Sequence, residues 1–504
     1  MKLLYYLAGS TLLAVCMTYE MSSRTLPENL LLGIGSSAYQ YEGAWDTDGR
    51  GPCIWDSAAH SIPSFIKDGS TADVTVDFYH HYKDDIQIMK EMGLQFVKIS
   101  ISWTRILPTG YSNKVNLAGI DFYNNVIDEL IENNIIPLVT LYHWDLPQIF
   151  QDMGGWTNVE IVNLFEDFAR VVFDNFGDRV KLWSTINEPL SICAGYESSS
   201  VFAPFLELSG TGSYLCAKNM LLAHARVYRL YDENYRQPQQ GKIGIIFDAE
   251  WYEPLTDSAE DRQAAADYLD FQLGIYANPI FSSTGDFPSS VKEMVGAKSL
   301  AQGFIRSRLP ELSDEEIEFI KGSADYFGIN LYSNIYVYRN ASVYTMYSSP
   351  SSDDDAGVGQ VTDNSWSDSG YTDGNTQVPC SFYKLLMKIK ELYNDPIILI
   401  TENGLSTDGG LDDYDRLAYI RGYLNGVVDA IEDGCNVLTY AVWSLFDNFE
   451  WSQGYTRKYG LFEVDFTSPN RTRTARESAL FYRYVATTRI LDRNTIRCGL
   501  HTNL

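Results

Sequence analysis

The sequence predicts an α/β fold, a single (β/α)8 TIM barrel with long βα loops. Eight short β-rich runs alternate with segments of helical period. Seven of those runs finish in polar or titratable residues that a buried strand should avoid, and neither a linker nor an internal repeat divides the chain.

In chain order the strand candidates are LLLGIGSSAYQYEG (30 to 43), LQFVKISISWTRI (94 to 106), IIPLVTLYHWDLP (135 to 147) and VKLWSTINEP (180 to 189). KIGIIFDAEWYEP (242 to 254), YFGINLYS (326 to 333), PIILITENG (396 to 404) and NVLTYAVWSLFDNFEW (436 to 451) complete the set. Between them DFYHHYKDDIQIMKEMG, AGIDFYNNVIDELIENN, VEIVNLFEDFARVVFDNFG and DRLAYIRGYLNGVVDAIEDG carry apolar residues at three- and four-residue intervals. Residues 334 to 380 form a long polar excursion after the sixth strand, which a barrel would place at its catalytic mouth. The doubly wound alternative rests on GIGSSA (33 to 38). It lacks the helix that would receive a pyrophosphate, because a polar glycine-rich loop follows.

At 504 residues the chain is within the range of one barrel, and 45% apolar residues suffice for a large core. A formal charge of −28 opposes nucleic acid and anionic membranes. Residues 1–18, MKLLYYLAGSTLLAVCMT, read as a secretory signal peptide, with Lys2, a short apolar run and small residues after it. The barrel domain is then 19–504, and the expected location is extracellular, such as a digestive lumen. The sequons at Asn340 and Asn470 are candidate glycosylation sites consistent with that route. Six cysteines remain after Cys16, and their pairing is not fixed by sequence. No later run is long and apolar enough to span a membrane.

The strand ends carry the chemistry. They are Gln40, Arg105, His143 with Trp144, Asn187 with Glu188, Asn330 with Tyr332, Glu402 with Asn403, and Glu450 with Trp451. Singly, each has a plain structural reading: tryptophan as packing, His143 as a satisfied core histidine, Asn187 as a turn residue. Their shared position at one barrel end argues for convergence on a site. In KLWSTINEP the proline is expected to hold Glu188 extended. Glu188 and Glu402 end the fourth and seventh strands, and two carboxylates facing one another about 5 to 5.5 Å apart would cleave a glycosidic bond with retention. Arg105 is the expected cation supporting whichever carboxylate acts as nucleophile. Trp144, Trp443 and Trp451 offer faces for a pyranose, and Gln40, His143, Asn187 and Glu450 can hydrogen-bond its hydroxyls. No cofactor or metal is implied: HExxH and CxxC are absent, as is the GxSxG elbow of serine hydrolases.

With these segments together, the sequence resembles the family 1 glycoside hydrolases, among them β-glucosidases, lactase-like enzymes and myrosinases. GIGSSAYQYEGAW, SISWTRILPTG, LYHWDLP, TINEP, DYFGINLYS, ITENG and WSLFDNFEWSQGYTRKYGLFEVDF carry the likeness. The resemblance implies Glu188 as acid/base and Glu402 as nucleophile. It implies Gln40, His143, Asn187, Glu450 and Trp451 as sugar contacts, with Trp443 as a platform and a candidate cis peptide at Trp443–Ser444. Arg105, Asn330 and Tyr332 would orient and ionise Glu402. Glu450 argues against 6-phosphoglycosides, since like charge repels a phosphate. The expected partner is a small-molecule, unphosphorylated β-D-glucoside. A thioglucosidase of the insect myrosinase type remains open because Glu188 is kept, and a catalytically silent sugar-binding relative is the third reading. Oligomeric state is not fixed by sequence.

Overall fold

The computed structural model of the chain describes residues 23–198, 202–345, 350–361, 378–493 and 497–499. The signal peptide read over residues 1–18 therefore lies outside the described residues. Eight parallel strands close into a barrel: β1 (Leu31–Gly35), β2 (Phe96–Ser100), β3 (Ile136–Tyr142), β4 (Leu182–Asn187), β5 (Lys242–Asp248), β6 (Phe327–Asn330), β7 (Ile398–Glu402) and β8 (Val437–Val442). Each pairs with its sequence neighbour, and β8 closes onto β1 through Thr439 opposite Leu31.

Every sequence-read strand has its counterpart, but several runs stop early and bend. SWTRI ends β2 and turns into a short helix, Trp103–Ile106, and AYQY after β1 is another, Ala38–Tyr41. The fifth run divides into β5 and a separate strand, Trp251–Pro254.

The outer layer follows from helical periodicity. The helices that succeed the strands are α1 (Phe78–Glu91), α2 (Leu117–Glu132), α3 (Ile161–Phe176), α4 (Gly212–Asn234), α5 (Ile275–Phe281), α6 (Pro379–Leu392), α7 (Tyr414–Glu432) and α8 (Glu477–Thr488). In α3 the buried positions Ile161, Val162, Phe165, Phe168, Ala169, Val172, Phe173 and Phe176 form one continuous stripe against the barrel. After α1, Gly93 takes a φ of +73°, the left-handed conformation that ends a helix cheaply only at glycine.

Inside the barrel, Phe96, Leu138, Ile246, Leu399 and Ala441 pack with Tyr326 into an apolar plug. A Cβ on Gly33 would stand 2.5 Å from the Phe96 ring, so the glycine leaves the space this ring fills. Because side chains alternate along a strand, Lys98 shares the inward face of Phe96, and Asp248 that of Ile246. The plug therefore sets a floor, and the inward residues nearer the strand ends stand above it.

The start of the excursion after β6 adds a strand, Asn334–Arg339, lying between Trp251–Pro254 and Val358–Val361 in a small sheet outside the barrel. Disulfides join Cys193 to Cys216 and Cys380 to Cys498, and Cys53 and Cys435 are buried free thiols. Among the described residues no helix is long and apolar enough to cross a membrane.

Candidate active site

A cleft of about 340 Å³ opens at the carboxyl ends of the strands. Gln40, His143, Trp144, Glu188, Asn330, Tyr332, Glu402, Trp443, Glu450 and Trp451 all line it, so ten of the residues read from the strand ends meet in one cavity. Asn187 sits immediately behind them, fully buried.

Alternation alone would have pointed two of these side chains the wrong way. On β4, Trp183 and Thr185 face the helices, Thr185 bonding to His224 at 2.7 Å, and Asn187 shares their parity. On β7, Ile398 and Ile400 belong to the outer core, and Glu402 shares theirs. The pairing register shifts between Ser184 and Asn187 and again between Ile400 and Glu402. Irregularities of this kind re-aim side chains beside active sites, and here they turn Asn187 and Glu402 into the mouth.

Glu188 departs from the extended conformation expected before proline. Its φ is +58° and ψ is +69°, and Pro189 occupies the first turn of a short helix, Pro189–Ala194. Proline excludes the right-handed helical region for the preceding residue but leaves two others, extended and left-handed. The backbone bond from Glu188 N to Ile246 O, 2.8 Å, accompanies the left-handed choice. Trp144 (φ +75°) and Trp451 (φ +51°) are left-handed too; such costly backbones on bulky residues gather at functional sites. The Trp443–Ser444 peptide is cis, as the resemblance implied.

The two carboxylates have different surroundings. Lys98 Nζ donates to Glu402 Oε1 in a short ion pair and to Asn187 Oδ1 at 2.5 Å, while the Tyr332 hydroxyl donates to Glu402 Oε2. Among the described residues no cation forms an ion pair with Glu188; Asn330 Nδ2 donates to its Oε1 at 2.6 Å. Burial, then the Glu402 charge, then that of Asp248, push the Glu188 carboxyl well above its ordinary range. One carboxylate is thus paired with a lysine, and the other, with no such partner, favours its proton.

Arg105 is not the supporting cation. Its guanidinium donates to Glu42 Oε2 at 2.7 Å and to Gly43 O at 3.0 Å, and Tyr123 donates to the other Glu42 oxygen at 2.5 Å. The Trp103–Ile106 helix bends SWTRI away from the mouth, so the role expected of Arg105 falls to Lys98, two residues before the end of β2. Asn330 likewise bonds to Glu188, and its own carbonyl accepts from Thr401 at 2.6 Å; Tyr332 alone of the pair reaches Glu402.

The remaining predicted groups form a polar wall with aromatic backing. Gln40 Nε2 donates to Asn448 Oδ1 at 2.9 Å and stands 3.4 Å from Glu450 Oε2. His143 Nε2 meets Asn187 Nδ2 at 3.2 Å, and burial with the Lys98 charge holds the imidazole well below its usual pKa, hence neutral. The His143 ring stacks between Trp443 and Trp451, with centroids 6.1 and 6.0 Å away. Trp144 donates its Nε1 to Asn187 O at 3.0 Å and packs on Trp451. Burial, then Glu402, push the Glu450 carboxyl up to about 8.

Sequence reasoning passed over Lys98, Asp248, Glu250 and Tyr459, of which the last three line the cleft. Asn340 and Asn470 are not among the residues that line the cleft; Asn470 is exposed and Asn340 partly so, its Oδ1 accepting from Ser342. Among the described residues no group of three or more His, Cys, Asp or Glu is arranged to hold a metal ion.

Comparison with known proteins agrees with this geometry. The profile described as Glycosyl hydrolase family 1 matches residues 22–490. Myrosinase 1 of Brevicoryne brassicae is 43% identical over 464 residues, covering 92% of this chain and 98% of that protein. Human cytosolic beta-glucosidase is 40% identical over 451 residues, 89% of this chain and 95% of that one. The solved structure titled aphid myrosinase superposes with a TM-score of 0.88 at 42% identity, covering 92% of this chain and all of that one. The beta-glucosidase of Thermotoga maritima in complex with deoxynojirimycin gives 0.83 at 35% identity, covering 92% and 99%.

Proposed function

The chain belongs to glycosyl hydrolase family 1 and is a glycoside hydrolase; from that premise we propose that it cleaves unphosphorylated β-D-glucosides with retention, through a covalent glucosyl-enzyme. The observation that carries the reading is the unequal setting of two carboxylates on one cleft: Glu402 against Lys98 and Tyr332, Glu188 against an amide and other acids.

In the first step Glu402 attacks the anomeric carbon as the bond to the aglycone oxygen breaks, and Glu188 gives its proton to that oxygen. In the second, Glu188, now a base, takes a proton from water, the water oxygen attacks the anomeric carbon, and the carboxylate of Glu402 leaves. Tyr332 and Lys98, each bonded to one oxygen of Glu402, would hold the nucleophile oriented between turnovers. Gln40, His143, Asn187, Glu450 and Trp451 would bind the glucose hydroxyls, and Trp443 would underlie the ring.

Turnover of p-nitrophenyl β-D-glucoside tests the proposal, with the anomer of the released glucose followed by NMR. β-Glucose should appear first, and Glu402→Gln should abolish the reaction. Release of α-glucose, or full activity in the variant, would overturn it. A second reading, a thioglucosidase, is favoured by the 43% identity to Myrosinase 1. Rates on sinigrin, cellobiose and salicin separate the two. Keeping both carboxylates counts against a silent sugar-binding relative. We also read the protein as secreted and glycosylated, on the sequence of residues 1–18 and the sequons alone; N-terminal sequencing of the mature chain and glycan mapping at Asn340 and Asn470 test this.

A further inference from the structure

Ser191, Phe202, Asp248, Glu250 and Ser333, at or after the ends of β4, β5 and β6, line the cleft without being among the residues proposed to hold glucose, and this part would receive the aglycone. Its charge is one-sided. Asp248 and Glu250 line it, next to Glu188 and Glu402, whereas no lysine or arginine lines the cleft anywhere among the described residues. Lys98 lies beneath, committed to Glu402 and Asn187. Cations on and beside these loops are engaged elsewhere: Arg262 with Asp257 O, Arg339 with Asp267, and Lys384 of α6 with Glu253 at 2.9 Å. The sequence offers no Lys, Arg or His between Arg339 and Lys384, but six aspartates, so this loop brings no counter-charge.

Asp248 is only half occupied. Its Oδ2 accepts from Ser191 N at 3.1 Å and Ser191 Oγ at 2.6 Å, which fixes the carboxylate against the helix that follows Glu188. Its Oδ1 is buried and has no hydrogen-bond partner among the described residues. A buried acceptor left without a donor beside a cavity is costly unless a bound group supplies one. Glu250 accepts from the Ser333 hydroxyl. We propose that the cleft selects neutral or cationic aglycones bearing a hydrogen-bond donor and rejects anionic ones, with Asp248 as the residue that sets the preference.

The proposal rests on the glucosidase reading and narrows it. An anionic aglycone, including the sulfated aglycone of a glucosinolate, must shed water to enter and then meets acidic side chains with no lysine or arginine among the described lining residues, in a cleft whose low-dielectric walls strengthen the repulsion. A phenol or an ammonium group brings the donor that Asp248 Oδ1 lacks.

The test compares kcat/KM at low ionic strength for three glucosides with leaving phenols of similar acidity: 4-(2-hydroxyethyl)phenyl, 4-(carboxymethyl)phenyl and 4-(2-aminoethyl)phenyl β-D-glucoside. The wild type should disfavour the carboxylate relative to the neutral compound by about tenfold or more, the cost of a close like charge, and should favour the amine. Asp248→Asn should shrink the neutral-to-carboxylate ratio roughly fivefold or more, and the ratio cancels any general loss of rate. Raising salt on the wild type should shrink the same ratio, and Glu250→Gln supplies a second variant should Asp248→Asn fold poorly. Equal rates on carboxylate and neutral compounds, or a ratio untouched by Asp248→Asn, would overturn the proposal. So would sinigrin turnover at least as fast as that of salicin. Loss of all three activities in the wild type would instead overturn the glucosidase reading and this inference with it.

Discussion

Lys98→Met is the substitution that separates the two cations. Lys98 is 0% exposed and ion-paired to Glu402, which itself faces Glu188 and Glu450 across the cleft. Removing one partner of a buried pair costs about 3–5 kcal/mol, because the other is left as an uncompensated charge. Unfolding entropy of roughly 2.1 cal/mol/K per residue gives about 1 kcal/mol/K for 504 residues. The expected fall in Tm is therefore only about 3–5 °C, and the variant should remain folded at assay temperature. Catalysis should suffer far more. A nucleophile without its cation loses charge stabilisation of the kind that costs about 10²–10³ in rate, or ~2.7–4 kcal/mol. Steady-state kcat/KM on 2,4-dinitrophenyl β-D-glucoside isolates the effect, since that leaving group needs no proton. The control is Arg105→Met, which breaks an equally buried pair with Glu42. It should lower Tm comparably while holding kcat/KM within about threefold in the folded enzyme. Near-wild-type turnover in Lys98→Met, or an equal loss in Arg105→Met with circular dichroism unchanged, would refute the reasoning.

Glu188→Gln should cut turnover of cellobiose by about 10²–10⁴ while sparing the first step on 2,4-dinitrophenyl glucoside, with added azide restoring turnover; equal losses on both substrates would sink the acid/base assignment. The same carboxyl, raised by burial and by Glu402, should set the alkaline limb of kcat/KM, because the protonated form is active and is lost as pH rises. An alkaline limb that survives unchanged in Glu188→Gln would contradict this. Glu450, at about 8, binds its proton more tightly folded than unfolded. Its contribution to stability is present below the ordinary carboxyl range and is lost as pH rises through about 8, so wild-type Tm should decline toward alkaline pH. Glu450→Gln should flatten that decline and raise KM for glucosides; a parallel pH profile of Tm would show that Glu450 does not cause it.

Strand positions were readable because a barrel strand covered on both faces is a short apolar run bounded by polar residues. Strand ends were not. SWTRI and AYQY stay buried after they stop being strand, so their apolar character reads as strand continued. Arg105 gained its expected role from that overextension. The inward turn of Asn187 and Glu402 was also illegible, because it comes from register shifts that break the two-residue alternation. They still stood out as candidates, since a carboxylate or amide at the end of a buried strand has few structural uses.

Lys98 and Asp248 share one reason for having been missed, and it points to a better rule. Both keep the inward parity of the apolar plug residues two positions earlier, Phe96 and Ile246. In a closed parallel barrel the outer face is sealed by helices and the inner face by other strands, so neither charge has water to solvate it. An inward charge above the plug must therefore find a counter-charge in the lumen or face the cleft. Lys98 does the first, through Glu402, and Asp248 does the second, with one oxygen satisfied by Ser191 and the other not. Counting parity from the plug rather than searching the strand ends would have placed the lysine of FVKIS beneath Glu402. It would also have placed the acid of GIIFD in the cleft with Glu188. Lys98 is thereby the ion-pair partner of Glu402, and Asp248 the acid that, in the proposed reading, a leaving group would meet.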